Sequence, residues 1–308
     1  MKIALLGAQG QVGRALAGPL ATLVGTRGEL RAWGRTEVDL EVAGAVAGAL
    51  DDFRPDLVIN AAAFTHVDHA EKEPARATRI NAEAMAELGR WAVTRVRAVV
   101  HLSTDYVFDG TADRPYRPDD SPAPINHYGR TKLAGERALL DGGAAAVVLR
   151  VAWVYSLYRG GFLSRMMHLA EERPELRVVA DQTGSPTSAR DLATAIALIV
   201  RDTRGDPVGA FRERRGVYHL AGRGACTRWA FIDAAVRLHP RRAALAVETI
   251  VPASSEAFPT AAARPRYSAL DNATTESTFG VNVPPWREGL ARTLHDRFGR
   301  HDPVGHRT

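Results

Sequence analysis

Cysteine is almost missing from this chain: Cys226 is the only one in 308 residues. That excludes an intramolecular disulfide and a cysteine-based metal site. It also points to a reducing compartment, so a cytoplasmic location is expected. Lysine is scarce too. Lys2, Lys72 and Lys132 are the only three among 40 cationic side chains, and the other 37 are Arg. Long apolar runs are missing. None approaches the roughly 20 residues that cross a bilayer. The apolar opening from Met1 to Leu6 is broken by Gly7 to Gln11, too early for a signal peptide. No membrane partner is expected. Basic clusters are short, Arg212 with Arg214 and Arg215, and Arg241 with Arg242. No recognition motif accompanies them, so no nucleic-acid partner is expected.

What is present is ordinary for a globular protein: 45% hydrophobic and 24% charged residues. Disorder, collagen and coiled coil are excluded as overall descriptions. A net charge of +5 and a pI near 9.6 suit phosphate-bearing ligands. Short apolar runs alternate with helix-period segments. Strands are expected at Lys2 to Leu6, Leu30 to Gly34, Leu57 to Ile59, Ala98 to Leu102 and Ala146 to Leu149. Helices are expected at 11–23, 40–53, 75–93 and 125–140. The pattern predicts an α/β fold with a doubly wound, parallel, Rossmann-type sheet and a smaller C-terminal α/β substrate domain. Residues 1–150 form the expected dinucleotide-binding domain, with elements returning from about 176–202; residues 151–308 form mainly the substrate domain. Later strands are expected at Leu176 to Val179 and Val217 to Leu220, and helices at 191–200 and 229–238. The Pro-rich stretches 114–124 and 252–265 read as long loops. His301 to Thr308 is polar and terminal and is expected to be disordered.

Gly7, Gly10 and Gly13 form G-x-x-G-x-x-G between the first strand and the first helix. Glycines there permit a tight turn, close approach of backbone to a pyrophosphate, and close packing of helix on strand. The helix start then offers free N–H groups and a positive dipole end. The competing reading is a tight turn with chance glycines. After the second strand comes Gly34-Arg35-Thr36. An acid at that point binds the ribose of NAD, and an Arg can accept the phosphate of NADP. Arg35 therefore favours NADPH, with NADH kept open by Glu37 and Asp39 nearby. A plain solvent-exposed Arg is the alternative.

Tyr128 and Lys132 are four apart on an expected helix, so their side chains share a face. An ammonium beside a phenol lowers its pKa and makes it a proton donor near neutral pH. A surface pair at chance spacing is the competing reading. Two features weigh against it. Lys132 is one of three lysines in a chain that otherwise uses Arg, and Ser103-Thr104-Asp105 falls at the carboxyl end of the fourth strand, where α/β sheets bind ligands.

These segments, together with Asn60 to Thr65, Ser103 to Gly110, Tyr128 to Glu136, Leu149 to Tyr155, Asp181 to Thr187, Tyr218 to Gly222 and Trp286 to Glu288, resemble the extended short-chain dehydrogenase/reductases. Within them the pattern is most similar to the dTDP-4-dehydrorhamnose reductase family, over nearly the whole chain. The resemblance implies NAD(P)H-dependent reduction of the C4 ketone of dTDP-4-dehydro-L-rhamnose. It implies Thr104, Tyr128 and Lys132 as the catalytic trio, with Tyr128 as proton donor. Gly10, Gln11 and Val12 would line the pyrophosphate, Asp39 and Leu40 the adenosine end, and Ala62, Ala63, Thr65 and Ser103 the rest of the cofactor. Thr104, Asp105, Tyr128 and Trp153 would touch the sugar nucleotide; a core role is the alternative for Trp153. Relatives with a Mg²⁺-bridged dimer place glutamates where this chain has Ala15 and Arg190, so no Mg²⁺ is expected, and a monomer or a homodimer fits. Gly160-Gly161 and Val151-Ala152 depart from the family's pattern near the sugar. Two alternatives follow: a related dTDP-4-keto-6-deoxyhexose reductase or synthase of dihydrostreptose type, and a non-catalytic, NADP-binding regulatory subunit like the methionine adenosyltransferase β subunit.

Overall fold

The computed structural model describes residues 1–158 and 160–299; the expectation for His301 to Thr308 lies outside them. In chain order the first half holds β1 (Lys2–Leu6), α1 (Gln11–Val24), β2 (Glu29–Trp33), α2 (Ala45–Phe53), β3 (Leu57–Asn60), α3 (Val67–Lys72), α4 (Pro74–Thr78), α5 (Ala84–Arg95), β4 (Ala98–Thr104), α6 (His127–Asp141) and β5 (Ala145–Val151). The second half holds β6 (Val154–Tyr155), α7 (Phe162–Glu172), β7 (Glu175–Val179), β8 (Thr183–Gly184), β9 (Thr187–Ser188), α8 (Ala189–Asp202), α9 (Pro207–Glu213), β10 (Gly216–His219), β11 (Cys226–Thr227), α10 (Arg228–Arg237), β12 (Thr249–Ala253), α11 (Ala273–Phe279) and α12 (Trp286–Phe298).

Six strands build one sheet in the order β2-β1-β3-β4-β5-β10, every neighbouring pair parallel. The apolar runs explain it. β3 and β4 are buried along their whole length, so both faces need a helical cover. Leu16 and Leu20 of α1 and Leu192, Ile196 and Ile199 of α8 cover one face. Leu50 of α2, Met85 and Leu88 of α5 and Leu139 of α6 cover the other. The strand order reverses between β1 and β3, which opens a crevice at their carboxyl ends. A third core joins Leu163, Met167, Phe231, Ile232, Trp286 and Leu290 beyond β5. No helix among the described residues is long and apolar enough to cross a membrane.

The structure differs from the sequence reading in three places. Of the stretch 176–202, only α8 returns to the sheet; β7 pairs with β12 in a separate two-stranded sheet, and the strand that returns is β10. The helix expected from 40 begins at Ala45. Asp39 accepts the Glu41 N–H at 3.0 Å and holds a turn there instead, while Val38 and Leu40 enter the core. The helix expected over 75–93 is interrupted by a π-turn at Arg79–Glu83. That turn aims Asn81 inward, where it accepts the Phe64 N–H at 2.8 Å and donates to the Phe64 carbonyl at 3.1 Å. It thereby pins the loop after β3.

Candidate active site

A cavity of about 1130 Å³ lies over the carboxyl ends of β1, β3 and β4. One wall is the β1–α1 turn. Gly7 has φ +79°, and a Cβ on it would lie 2.6 Å from the Ala62 nitrogen. A Cβ on Gly13 would collide with the Gly7 carbonyl. Gly13 therefore packs behind the turn, while Gly7, Gly10, Gln11 and Val12 line the cavity. α1 starts there with no side-chain cap and no acid in its first turn. Its N–H groups are left for an anion. A tight backbone turn that presents uncapped helix N–H groups to the cavity fits a dinucleotide pyrophosphate.

Arg35, Asp39 and Leu40 line the same cavity further out. Arg35 is 60% exposed and pairs with Asp39 at 3.1 Å and Glu41 at 2.8 Å. Against the cost of partial burial, the Glu41 N–H and Arg35 hold the Asp39 carboxyl below its ordinary range. Glu37 is engaged by the Gly34 N–H at 2.8 Å. Ala62, Ala63 and Thr65 flank the opening.

The floor is the end of β4 and the start of α6. Asn126 caps α6, accepting the Gly129 N–H at 2.8 Å, and so sets Tyr128 in the first turn with Lys132 one turn on. Thr104, Tyr128 and Lys132 all line the cavity. Contrary to the expectation from helical spacing, Lys132 is not paired with the Tyr128 hydroxyl. The Lys132 Nζ turns under β4, donating to the Leu102 carbonyl at 2.7 Å with His101 Nε2 at 3.1 Å. It does not lower the Tyr128 phenol. Burial raises that phenol above its ordinary value, and the Thr104 hydroxyl opposes the shift only in part. Burial also pushes Lys132 down to about 8, with Glu136 opposing. Ser103 lines the cavity, but its hydroxyl donates to Glu136, which forms a buried pair with Arg150 at 2.7 Å.

At the far end, Asp105 accepts from Thr104 at 3.1 Å and from Ser268 at 2.6 Å. Burial raises its carboxyl to about 6 against these two hydroxyls and Arg228. Trp153 is half-buried at φ +42° and faces the cavity rather than the core. The Arg228 guanidinium lies 4.2 Å from its ring centre and donates to Gln182 at 2.9 Å.

Known proteins resemble this chain over almost its whole length. The family model described as the RmlD substrate binding domain matches residues 1–298. A dTDP-4-dehydrorhamnose reductase of Burkholderia thailandensis is 41% identical, the match covering 96% of this chain and 99% of that one. The Escherichia coli K12 dTDP-4-dehydrorhamnose reductase is 39% identical, covering 97% and 98%. The crystal structure of a Bacillus anthracis dTDP-4-dehydrorhamnose reductase in complex with NADP superposes with a TM-score of 0.85 at 31% identity, covering 96% of this chain and 99% of that one. The chain belongs to the RmlD family of dTDP-4-dehydrorhamnose reductases.

Several residues in and beside the cavity were not legible in this sequence. Arg228 is one of 37 arginines, and nothing local marks it. Ser268 reaches Asp105 across 163 residues. Asn81 carries the one available signal, an Asn inside a helix pattern. Ala15 packs against the core on α1, and Arg190 ion-pairs with Asp296. Among the described residues no three His, Cys, Asp or Glu side chains are grouped to hold a metal ion.

Proposed function

We propose that this chain reduces the C4 ketone of dTDP-4-dehydro-L-rhamnose, giving dTDP-L-rhamnose, with NADPH as the preferred reductant over NADH. The observation that carries the reading is the meeting of Thr104, Tyr128 and Lys132 with the glycine turn in one cavity. Gly7, Gly10, Gln11 and Val12 would hold the pyrophosphate, Arg35, Asp39 and Leu40 the adenosine end, and Ala62, Ala63 and Thr65 the remainder. Bound there, the dinucleotide would supply a hydride to the ketone carbon.

The residues of the chain supply the rest. Once the carbon gains two electrons, the ketone oxygen needs a proton, and Tyr128 gives it. A buried phenol kept protonated suits a donor. Thr104 exchanges its 3.1 Å bond to Asp105 for one to the ketone oxygen and polarises it. Lys132, one turn further along α6, lines the same cavity and would hold the nicotinamide ribose. Asp105, Trp153 and Arg228 hold the sugar nucleotide.

The test is to follow NADPH and NADH absorbance with the 4-keto-6-deoxy-D-glucose nucleotide, before and after its epimerisation to the L-sugar. Consumption only after epimerisation, faster with NADPH, is expected. Turnover of another 4-keto-6-deoxyhexose nucleotide in its place would move the assignment to a synthase of the dihydrostreptose type. Binding of NADPH with no turnover of any would point to a regulatory subunit.

A further inference from the structure

The segment 262–268, between β12 and α11, ties together parts of the site that lie far apart in the chain. At its start the Ala262 N–H donates to Asp68 Oδ1 at 3.0 Å. Arg264 grips the same carboxylate with two N–H groups, at 2.9 Å to Oδ1 and 2.7 Å to Oδ2. Asp68 belongs to α3, 196 residues earlier than Arg264. Two such bonds fix both the place and the orientation of a guanidinium. Pro265 comes next and disfavours helical backbone at Arg264. The segment then lies directly on the turn that follows β4: a Cβ on Gly110, which has φ +86°, would collide with Pro265 and the Arg266 nitrogen. At its far end the Ser268 N–H donates to the Thr183 carbonyl at 2.8 Å, and the Thr183 N–H to the Arg266 carbonyl at 2.7 Å.

From this seat the segment reaches two sides of the cavity floor. The Ala263 carbonyl accepts from Asn126 Nδ2 at 2.9 Å. The other end of that amide, Asn126 Oδ1, caps α6 by accepting the Gly129 N–H at 2.8 Å, one residue past Tyr128. The Ser268 hydroxyl donates to Asp105 Oδ2 at 2.6 Å, and Asp105 Oδ1 takes the Thr104 hydroxyl at 3.1 Å. Asn126, Ser268 and Asp105 are each at most 3% exposed, so these bonds do not compete with bulk water. One stretch of chain therefore holds both the helix turn that carries Tyr128 and the carboxylate that orients Thr104.

We propose that Asp68 and Arg264 are positioning residues for the reduction: their ion pair seats the segment 262–268, and the segment keeps Thr104 and Tyr128 aligned on one ketone oxygen. This rests on the reading of Thr104 and Tyr128 as the groups that meet the ketone. Neither Asp68 nor Arg264 lines the cavity, so the pair acts through the segment and not on the ligand. The anchor is well placed for the task. α3 also holds the start of α6 directly, where Glu71 accepts the His127 N–H at 2.7 Å. The segment thus adds a second tie between α3 and the turn that carries Tyr128, and it is the tie that also reaches Asp105. Two groups that must act on one atom need a common support, because an error of about 1 Å in their placement can cost two orders of magnitude in rate.

Two variants of the full-length chain test the pair. Arg264→Ala removes the seat. Asn126→Asp keeps a carboxylate oxygen to cap α6 but has no N–H for the Ala263 carbonyl. Each is expected to lower kcat about tenfold or more, with NADPH affinity, read by Trp fluorescence, unchanged. The double variant is expected to lose no more than the worse single one, because both act through one segment. The solvent deuterium isotope effect on kcat is expected to rise in Arg264→Ala, since delivery of the proton becomes the slow step; a pair that merely stabilises the fold would leave it at the wild-type value. Where Arg264→Ala fails to fold, Asp68→Asn, which still accepts the Ala262 N–H, takes its place. Losses that multiply in the double variant, or an unmoved isotope effect, overturn the proposal. A wild-type kcat in folded Arg264→Ala, beside an inactive Tyr128→Phe, defeats this inference alone. A fully active Tyr128→Phe defeats the catalytic reading on which it rests.

Discussion

The guanidinium of Arg228 sits 4.2 Å from the centre of the Trp153 ring, and both side chains line the cavity. The Phe162 ring centre lies 5.2 Å from the same cation. With its guanidinium over a ring, Gln182 on its Nε and Tyr106 near one Nη, Arg228 is held in place at the cavity wall, its other N–H groups left for a ligand. Arg228→Met is expected to raise KM for the sugar nucleotide roughly tenfold or more, with kcat changed little. Steady-state kinetics at saturating NADPH checks this. An unchanged KM would remove Arg228 from the substrate site.

Gly13→Ala sets a methyl group against the Gly7 carbonyl. The turn must move or α1 must shift. Either change is expected to lower stability by about 1–3 kcal/mol and to abolish dinucleotide binding before it abolishes folding. Denaturant unfolding and quenching of Trp fluorescence by NADPH separate the two effects. Retained binding at wild-type affinity would mean that the turn does not cradle the pyrophosphate.

Glu136→Gln leaves Arg150 charged, 4% exposed and without its counter-ion. A loss of about 3–5 kcal/mol is expected. Replacing both partners by apolar residues of similar size should lose much less. Urea unfolding of the single and double variants gives the comparison.

Much of the fold was legible because it is local. The runs Leu57 to Ile59 and Ala98 to Leu102 read as strands buried on both faces, and β3 and β4 are such strands. The glycine turn and the Tyr128–Lys132 spacing were legible for the same reason. What failed depended on distant partners. The direction in which Lys132 points is set by Leu102 and His101 on another element, so helical spacing alone paired it with Tyr128. β7 pairs with β12, Glu175 opposite Thr249, across about seventy residues of chain, and no short-range pattern records that pairing. Arg228 was hidden by abundance, and Ser268 by sequence distance from Asp105.

Asp105 ties pH to stability. Its folded pKa, about 6, is raised above the ordinary 3.8 by burial. For a carboxyl raised on folding, stability is highest below the unfolded pKa and falls as pH rises through the folded one. The loss is expected between about pH 4 and 6 and amounts to about 3 kcal/mol. Asp105→Asn should therefore stabilise the protein at pH 8 and do little at pH 4. Thermal unfolding at the two pH values tests this, and equal effects at both would contradict it.

The central claim is that Tyr128 is the proton donor, and the most direct measurement is turnover and NADPH affinity in Tyr128→Phe. The variant keeps the ring and its contact with Tyr106, 5.9 Å between centres, and loses only the hydroxyl. The account predicts a fall in kcat of about 10²–10⁴ with NADPH affinity essentially unchanged. Turnover at the wild-type rate would contradict it, and the proton would have to come from another group in the cavity.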